Sequence, residues 1–113
     1  MESVLTFPRT VFREDHEMLR QTVRRFLDRE CKPRQAQWDK DGRVDRETWL
    51  KAGREGLLCT TLDPEWGGAG GDFGHAAVIV EEVARSGVGG LGFGLHSDVV
   101  APYLQRLGSE AQK

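Results

Sequence analysis

Phe73-Gly74-His75-Ala76-Ala77-Val78-Ile79-Val80-Glu81-Glu82-Val83-Ala84-Arg85 is the stretch that decides the fold. Phe73, Ala76, Ala77, Val80, Val83 and Ala84 recur at helical spacing, and Val78 and Ile79 widen the stripe until little polar surface remains before Glu81. So apolar a helix must be covered on several sides, which predicts a helix over 73–85 at the centre of a bundle, with Asp72 as its N-cap. Glu81 and Arg85, one helical turn apart, are expected to pair on its exposed side.

Upstream, Leu19, Val23, Phe26 and Leu27 repeat at the same spacing within 14–32. Glu14, Asp15 and Glu17 crowd the start of that segment and Arg29 and Lys32 its end, as the helix dipole favours. Pro33 is expected to stop it, because the ring offers no N–H and disfavours helical geometry in the residue before it. A shorter helix fits 45–57, capped by Asp45, with Val44, Trp49, Leu50 and Leu57 as its apolar residues. The glycine-dense segment Cys59 to Asp72 reads as an ordered loop. A fourth helix over 96–107 carries Val99, Val100, Tyr103, Leu104 and Leu107 on one face, Pro102 near its first turn and Gly108 as a left-handed stop. Ser109 and Gln112 form a capping-box pattern with no helix after it, which suggests a chain cut from a longer one.

These elements make an all-α domain of about four main helices, 14–32, 45–57, 73–85 and 96–107, joined by long loops. The 113 residues suffice for one domain with a modest core. No apolar run approaches the roughly 20 residues that a membrane-spanning helix needs. The 16 basic and 18 acidic side chains are interspersed, so the concentrated basic face that nucleic acid requires is not expected. Cys31 and Cys59 match no metal-ligand or redox spacing and read as reduced, buried thiols, which fits a cytoplasmic setting. The opening Met1-Glu2-Ser3-Val4 has neither the basic-then-apolar pattern of a signal peptide nor an Arg- and Ser-rich transit composition.

Gly87-Val88-Gly89-Gly90-Leu91-Gly92 satisfies the GxGxxG spacing of dinucleotide sites, but that spacing has meaning only between a strand and a helix. Here it follows a helix, so it reads as a connection. His16, His75 and His96 are too far apart to suggest a local metal site, and no metal is expected. His96, at a helix start after the glycines, is the one histidine with a candidate ligand-facing role. Trp38, Trp49 and Trp66 read as packing residues. No nucleophile, base or other catalytic group is recognisable, and no cofactor-binding residue can be named.

The order of segments resembles the N-terminal domain of acyl-CoA dehydrogenases, most of all the long-chain-specific branch, over about Phe12 to Lys113. The resemblance rests on Trp49-Leu50-Lys51-Ala52-Gly53-Arg54-Glu55-Gly56-Leu57-Leu58, on Pro64-Glu65-Trp66-Gly67-Gly68-Ala69-Gly70-Gly71-Asp72, and on Glu81-Glu82. Gly92-Phe93-Gly94-Leu95-His96-Ser97 and Gly108-Ser109-Glu110-Ala111-Gln112-Lys113 complete it. It implies a helical first domain followed by a β-barrel and a second helical domain, which hold most of the FAD and the glutamate base. It implies oxidation of a medium-to-long fatty acyl-CoA to a trans-2-enoyl-CoA in fatty acid β-oxidation, with electron-transferring flavoprotein as electron acceptor and a homo-oligomeric full-length enzyme. The fragment alone is expected to be inactive. Leu95, His96 and Val99 are the residues that the resemblance carries to the acyl pocket. The two alternatives are a diverged flavoprotein oxidase or monooxygenase of the same fold and a freestanding helical interaction module.

Overall fold

A computed structural model describes residues 8–113, so the opening Met1-Glu2-Ser3-Val4 lies outside the described residues. Among those described, the regular structure is entirely helical. The order is α1 (Glu14–Phe26), a π-helical turn (Leu27–Cys31), a 3₁₀ turn (Lys32–Arg34), α2 (Gln35–Asp41), α3 (Arg46–Arg54), a 3₁₀ turn (Pro64–Trp66), α4 (Phe73–Ser86), a π-helical segment (Leu95–Val100) and α5 (Ala101–Leu107).

Two expectations about boundaries change. Pro33 does not end the first helical run: it occupies the first turn of the 3₁₀ segment, where its missing N–H costs nothing, and the chain goes on into α2. The second predicted helix closes at Arg54 rather than at 57, and Gly56 turns the chain at φ 79°. Asp45 does cap α3, accepting from the Thr48 N–H at 3.1 Å. The same carboxylate accepts from Thr48 Oγ1 at 2.9 Å and from the buried Trp38 indole N–H at 2.7 Å, which ties α2 to α3.

α4 lies against α1 and the π-helical turn, but it is not covered on several sides as its composition predicts, since Phe73 and Val80 stay exposed. Val23, Phe26, Leu27 and Cys31 enter the core from the first run, Ile79 and partly Val83 from α4, and Val88, Leu91 and Phe93 from the glycine-rich connection. The π turn seats Leu27 and Cys31 together: its wider i→i+5 winding lets both face the core beside Phe26, which has no exposed surface.

Glu82 is 2% exposed on the α1 side of α4. It accepts from Arg24 Nε and Nη2 at 3.0 and 2.8 Å and from Arg20 Nη1 at 3.2 Å, which answers the cost of burying its charge. Glu81 pairs with Arg9 and Arg20, so the expected Glu81–Arg85 pair does not form. Arg20 of α1 and Arg9 ahead of it take the place of Arg85. Gly108 also departs from expectation, with φ −72° and ψ 155°. Glycine fits there because a Cβ would stand 2.4 Å from the Leu104 carbonyl oxygen.

Candidate functional site

α4 and the helical run 95–107 border two adjoining, partly open apolar cavities. The first, about 280 Å³, lies over Leu57, Ile79, Val83 and Phe93. The second, about 700 Å³, lies along Phe73, Ala76, Ala77 and Pro102. Val80 and Asp98 line both. Small side chains at 76, 77 and 84 and glycines at 92 and 94 keep the space open, and Gly92 turns at φ 68° to bring Phe93 beneath it. Phe73 and Val80, read in sequence as part of a covered stripe, are 83% and 52% exposed along this groove.

Most polar groups at the groove are already engaged. Ser97 Oγ accepts from the Cys59 N–H at 3.0 Å and lies 3.1 Å from His96 Nδ1. Thr60 Oγ1 donates to the Gly56 carbonyl at 2.8 Å. Asp98 differs: among the described residues no cation forms an ion pair with it, and its apolar surroundings raise its carboxyl above the ordinary aspartate value.

Leu95, His96 and Val99 are not brought together. Leu95 (65% exposed) and Val99 (46%) belong to the outer face of the run, with Val100, Tyr103, Leu104 and Leu107. His96 packs edge-on against Trp49, ring centroids 5.5 Å apart, and lines a separate cavity of about 270 Å³ with Cys59, Leu62 and Trp66. The groove-facing positions of this run are Gly94, Ser97, Asp98 and Pro102. The sequence reading passed over Asp98, although a carboxylate four residues before Pro102 and four after Gly94 shares one helical face with both.

A second polar cluster joins the starts of α1 and α4. His16 and His75 each occupy the third position of a helix and accept the N–H of the residue before it, Arg13 to His16 Nδ1 at 2.9 Å and Asp72 to His75 Nδ1 at 3.0 Å. His16 Nε2 lies 2.7 Å from Asp72 Oδ1, and His75 Nε2 lies 3.1 Å from Asp15 Oδ2. Donor atoms of Asp15, His16 and His75 fall within 4.8 Å of one another, close enough to suggest a metal. The hydrogen-bond pattern assigns otherwise. With each Nδ1 accepting a backbone N–H, the proton of each neutral ring sits on Nε2, which then has no lone pair for a cation. The cluster is a clamp between two helix starts.

The glycine-rich connection does not offer its first amides to the phosphates of a flavin dinucleotide. In the Gly87–Gly92 connection the Val88 N–H donates to Ser86 Oγ at 3.1 Å and the Gly89 N–H to Gln35 Oε1 at 2.9 Å, which leaves neither amide for an anion. The connection joins helix to helix, as expected from sequence. Cys31 and Cys59 are unpaired; Cys31 is buried, but Cys59 is only half-buried, at φ 53°.

Residues 13–113 match the family model for the acyl-CoA dehydrogenase N-terminal domain. The chain is 46% identical over 104 residues to the mitochondrial long-chain specific acyl-CoA dehydrogenase of Sus scrofa, covering 92% of this chain and 24% of that protein. It is 36% identical over 103 residues to the mitochondrial isovaleryl-CoA dehydrogenase of Pongo abelii, covering 88% of this chain and 24% of that one. A crystal structure of an acyl-CoA dehydrogenase from Geobacillus kaustophilus superposes with a TM-score of 0.86 at 40% identity, covering 94% of this chain and 28% of the other. The chain thus spans about a quarter of the length of these relatives.

Proposed function

The chain belongs to the acyl-CoA dehydrogenase family, as its N-terminal domain, and from that membership we propose that the protein carrying it oxidises a medium-to-long fatty acyl-CoA to the trans-2-enoyl-CoA, with this domain walling the acyl chain. The observation that carries the second half of this reading is the pair of adjoining apolar cavities between α4 and the 95–107 run. An alkyl chain laid there gains roughly 25 cal/mol for each Å² of apolar surface removed from water. Such a wall sets chain-length preference rather than rate. Leu95 and Val99 are proposed as apolar side chains open to a ligand on the outer face, and His96 as the polar group at the separate 270 Å³ cavity.

The acid–base and redox work is proposed to lie in a β-barrel and a second helical domain contributed by further chain. FAD is proposed as the cofactor of that larger protein. The Val88 and Gly89 amides of the glycine-rich connection are already engaged, so the phosphates of that cofactor are proposed to be held elsewhere. Electron-transferring flavoprotein as the electron acceptor and a homo-oligomeric assembly belong to the same reading. A reducing, cytoplasm-like compartment is proposed on the strength of the two free thiols; the porcine and orang-utan relatives are themselves named mitochondrial.

The test is the visible spectrum of the protein expressed from its full reading frame, titrated with saturated acyl-CoAs of increasing length. Bleaching of the flavin by straight-chain substrates is expected, and Val80→Trp, which narrows both cavities, should shift the preference to shorter chains. A protein whose flavin no acyl-CoA bleaches would overturn the reading.

A further inference from the structure

The groove is mostly apolar, yet the exposed side chain of Asp98 lines both of its cavities. Asp98 lines both the 280 Å³ and the 700 Å³ cavity, with Ile79, Val80 and Phe93 around it on one side and Ala76, Ala77 and Pro102 on the other. Its Oδ2 lies over Gly94, where an added Cβ would come within 3.8 Å of it. The other carboxylates at the second cavity are engaged: Glu81 by Arg9 and Arg20, and Asp72 by Arg13 and His16. Asp98 has no such partner among the described residues, and desolvation by the groove walls raises its carboxyl above the ordinary aspartate value.

A plain alkyl chain crossing this point would strip water from the carboxylate and offer nothing in return, whereas a chain that brings a hydroxyl there replaces the lost water. Resting on the reading of the groove as an acyl-CoA wall, we propose that Asp98 is a specificity-determining residue that selects acyl chains bearing a hydroxyl where the two cavities meet over unsubstituted chains of the same length. The hydroxyl donates to the carboxylate; no bond is made or broken there. Asp98 acts on the choice of acyl chain and not on the dehydrogenation step.

The experiment uses the full-length flavoprotein and measures kcat/KM for one saturated straight-chain acyl-CoA and for its mono-hydroxylated isomers, the hydroxyl moved one carbon at a time beyond the reacting α and β carbons. One isomer, or two adjacent ones, should exceed the plain chain by about tenfold or more, the size of a hydrogen bond to a charged group. Asp98→Leu should remove that preference and raise kcat/KM for the plain chain by about tenfold. Asp98→Asn, which keeps a hydrogen-bonding side chain without the charge, should fall between the two. Equal changes for plain and hydroxylated chains in Asp98→Leu would assign Asp98 a structural role and overturn the proposal, as would a wild-type protein that favours the plain chain over every isomer. A protein oxidising neither class in any of the three forms would overturn the acyl-CoA reading itself and take this proposal with it; plain-chain oxidation without selectivity overturns only the role of Asp98.

Discussion

Asp72 shows how much one side chain can hold. It accepts the His75 backbone N–H at the start of α4, accepts a hydrogen bond from His16 Nε2–H, and pairs with Arg13 at 2.8 Å. The Arg13 guanidinium first, and then His16, keep its carboxyl well below the usual carboxylate range. A depressed folded-state value means that the stability contributed is fully present above the ordinary aspartate pKa of about 3.9 and is lost as pH falls through the lower folded value. Urea unfolding at a series of pH values should therefore find Asp72→Asn less stable than wild type at neutral pH, with the gap closing only below about pH 4; a gap independent of pH would contradict the charge pairing. Burial acts in the opposite sense on the thiols: it pushes Cys31 up to about 12, with Cys59 raised more modestly by the same cause. At pH 8 a thiol reagent should label Cys59 first, and Cys31 only on a timescale set by unfolding. Equal rates in native protein would mean that Cys31 is not sealed in the core. The Asp72 cap was legible in sequence because a cap is local. His16 was read as an isolated histidine because its partner is 56 positions away.

At the scale of elements, the same locality separates what could be read from what could not. The helix over 73–85 and the caps at Asp45 and Asp72 were readable, because apolar spacing and N-cap chemistry act within one or two turns. The π-helical segments Leu27–Cys31 and Leu95–Val100 were not, since i→i+5 winding has no residue signature of its own. The run 95–107 was recognised as a helix with an apolar face, yet that face looks outward while Ser97, Asp98 and Pro102 turn to α4. Periodicity identifies a face but not the element it meets, and the groove was hidden from sequence for that reason. Gly74 joins the two levels: a Cβ there would come within 2.5 Å of the His16 ring, which is buried and cannot swing away. Gly74→Ala should destabilise the protein by roughly 1–3 kcal/mol despite the better helix propensity of alanine. In the His16→Ala background the penalty should largely vanish, and a double-mutant cycle by chemical denaturation measures it. Additive effects would place the strain elsewhere.

Viewed whole, the molecule is a slab, with extents of 50 × 40 × 19 Å and a radius of gyration of 15.2 Å, against about 13 Å expected for a compact chain of this length. A body two helices thick has little interior, and Leu95, Val99, Val100, Tyr103, Leu104 and Leu107 remain open on one helix. Contiguous apolar surface of this kind drives association in water. The 113-residue chain should therefore show a sedimentation coefficient that rises with concentration, and Leu95→Lys with Tyr103→Lys should suppress the rise while moving stability by no more than about 1 kcal/mol. Concentration-independent sedimentation would show that the face is too fragmented to associate. The pairing of α1 with α4 through Arg24 and Glu82 joins residues 58 positions apart. On a ribosome adding about 5–20 residues per second, the face of α1 that carries Val23 and Phe26 waits roughly 3–12 s for the helix that covers it. For those seconds the nascent chain displays the apolar face of α1 with its native partner not yet made, and a holding chaperone has its clearest opportunity then.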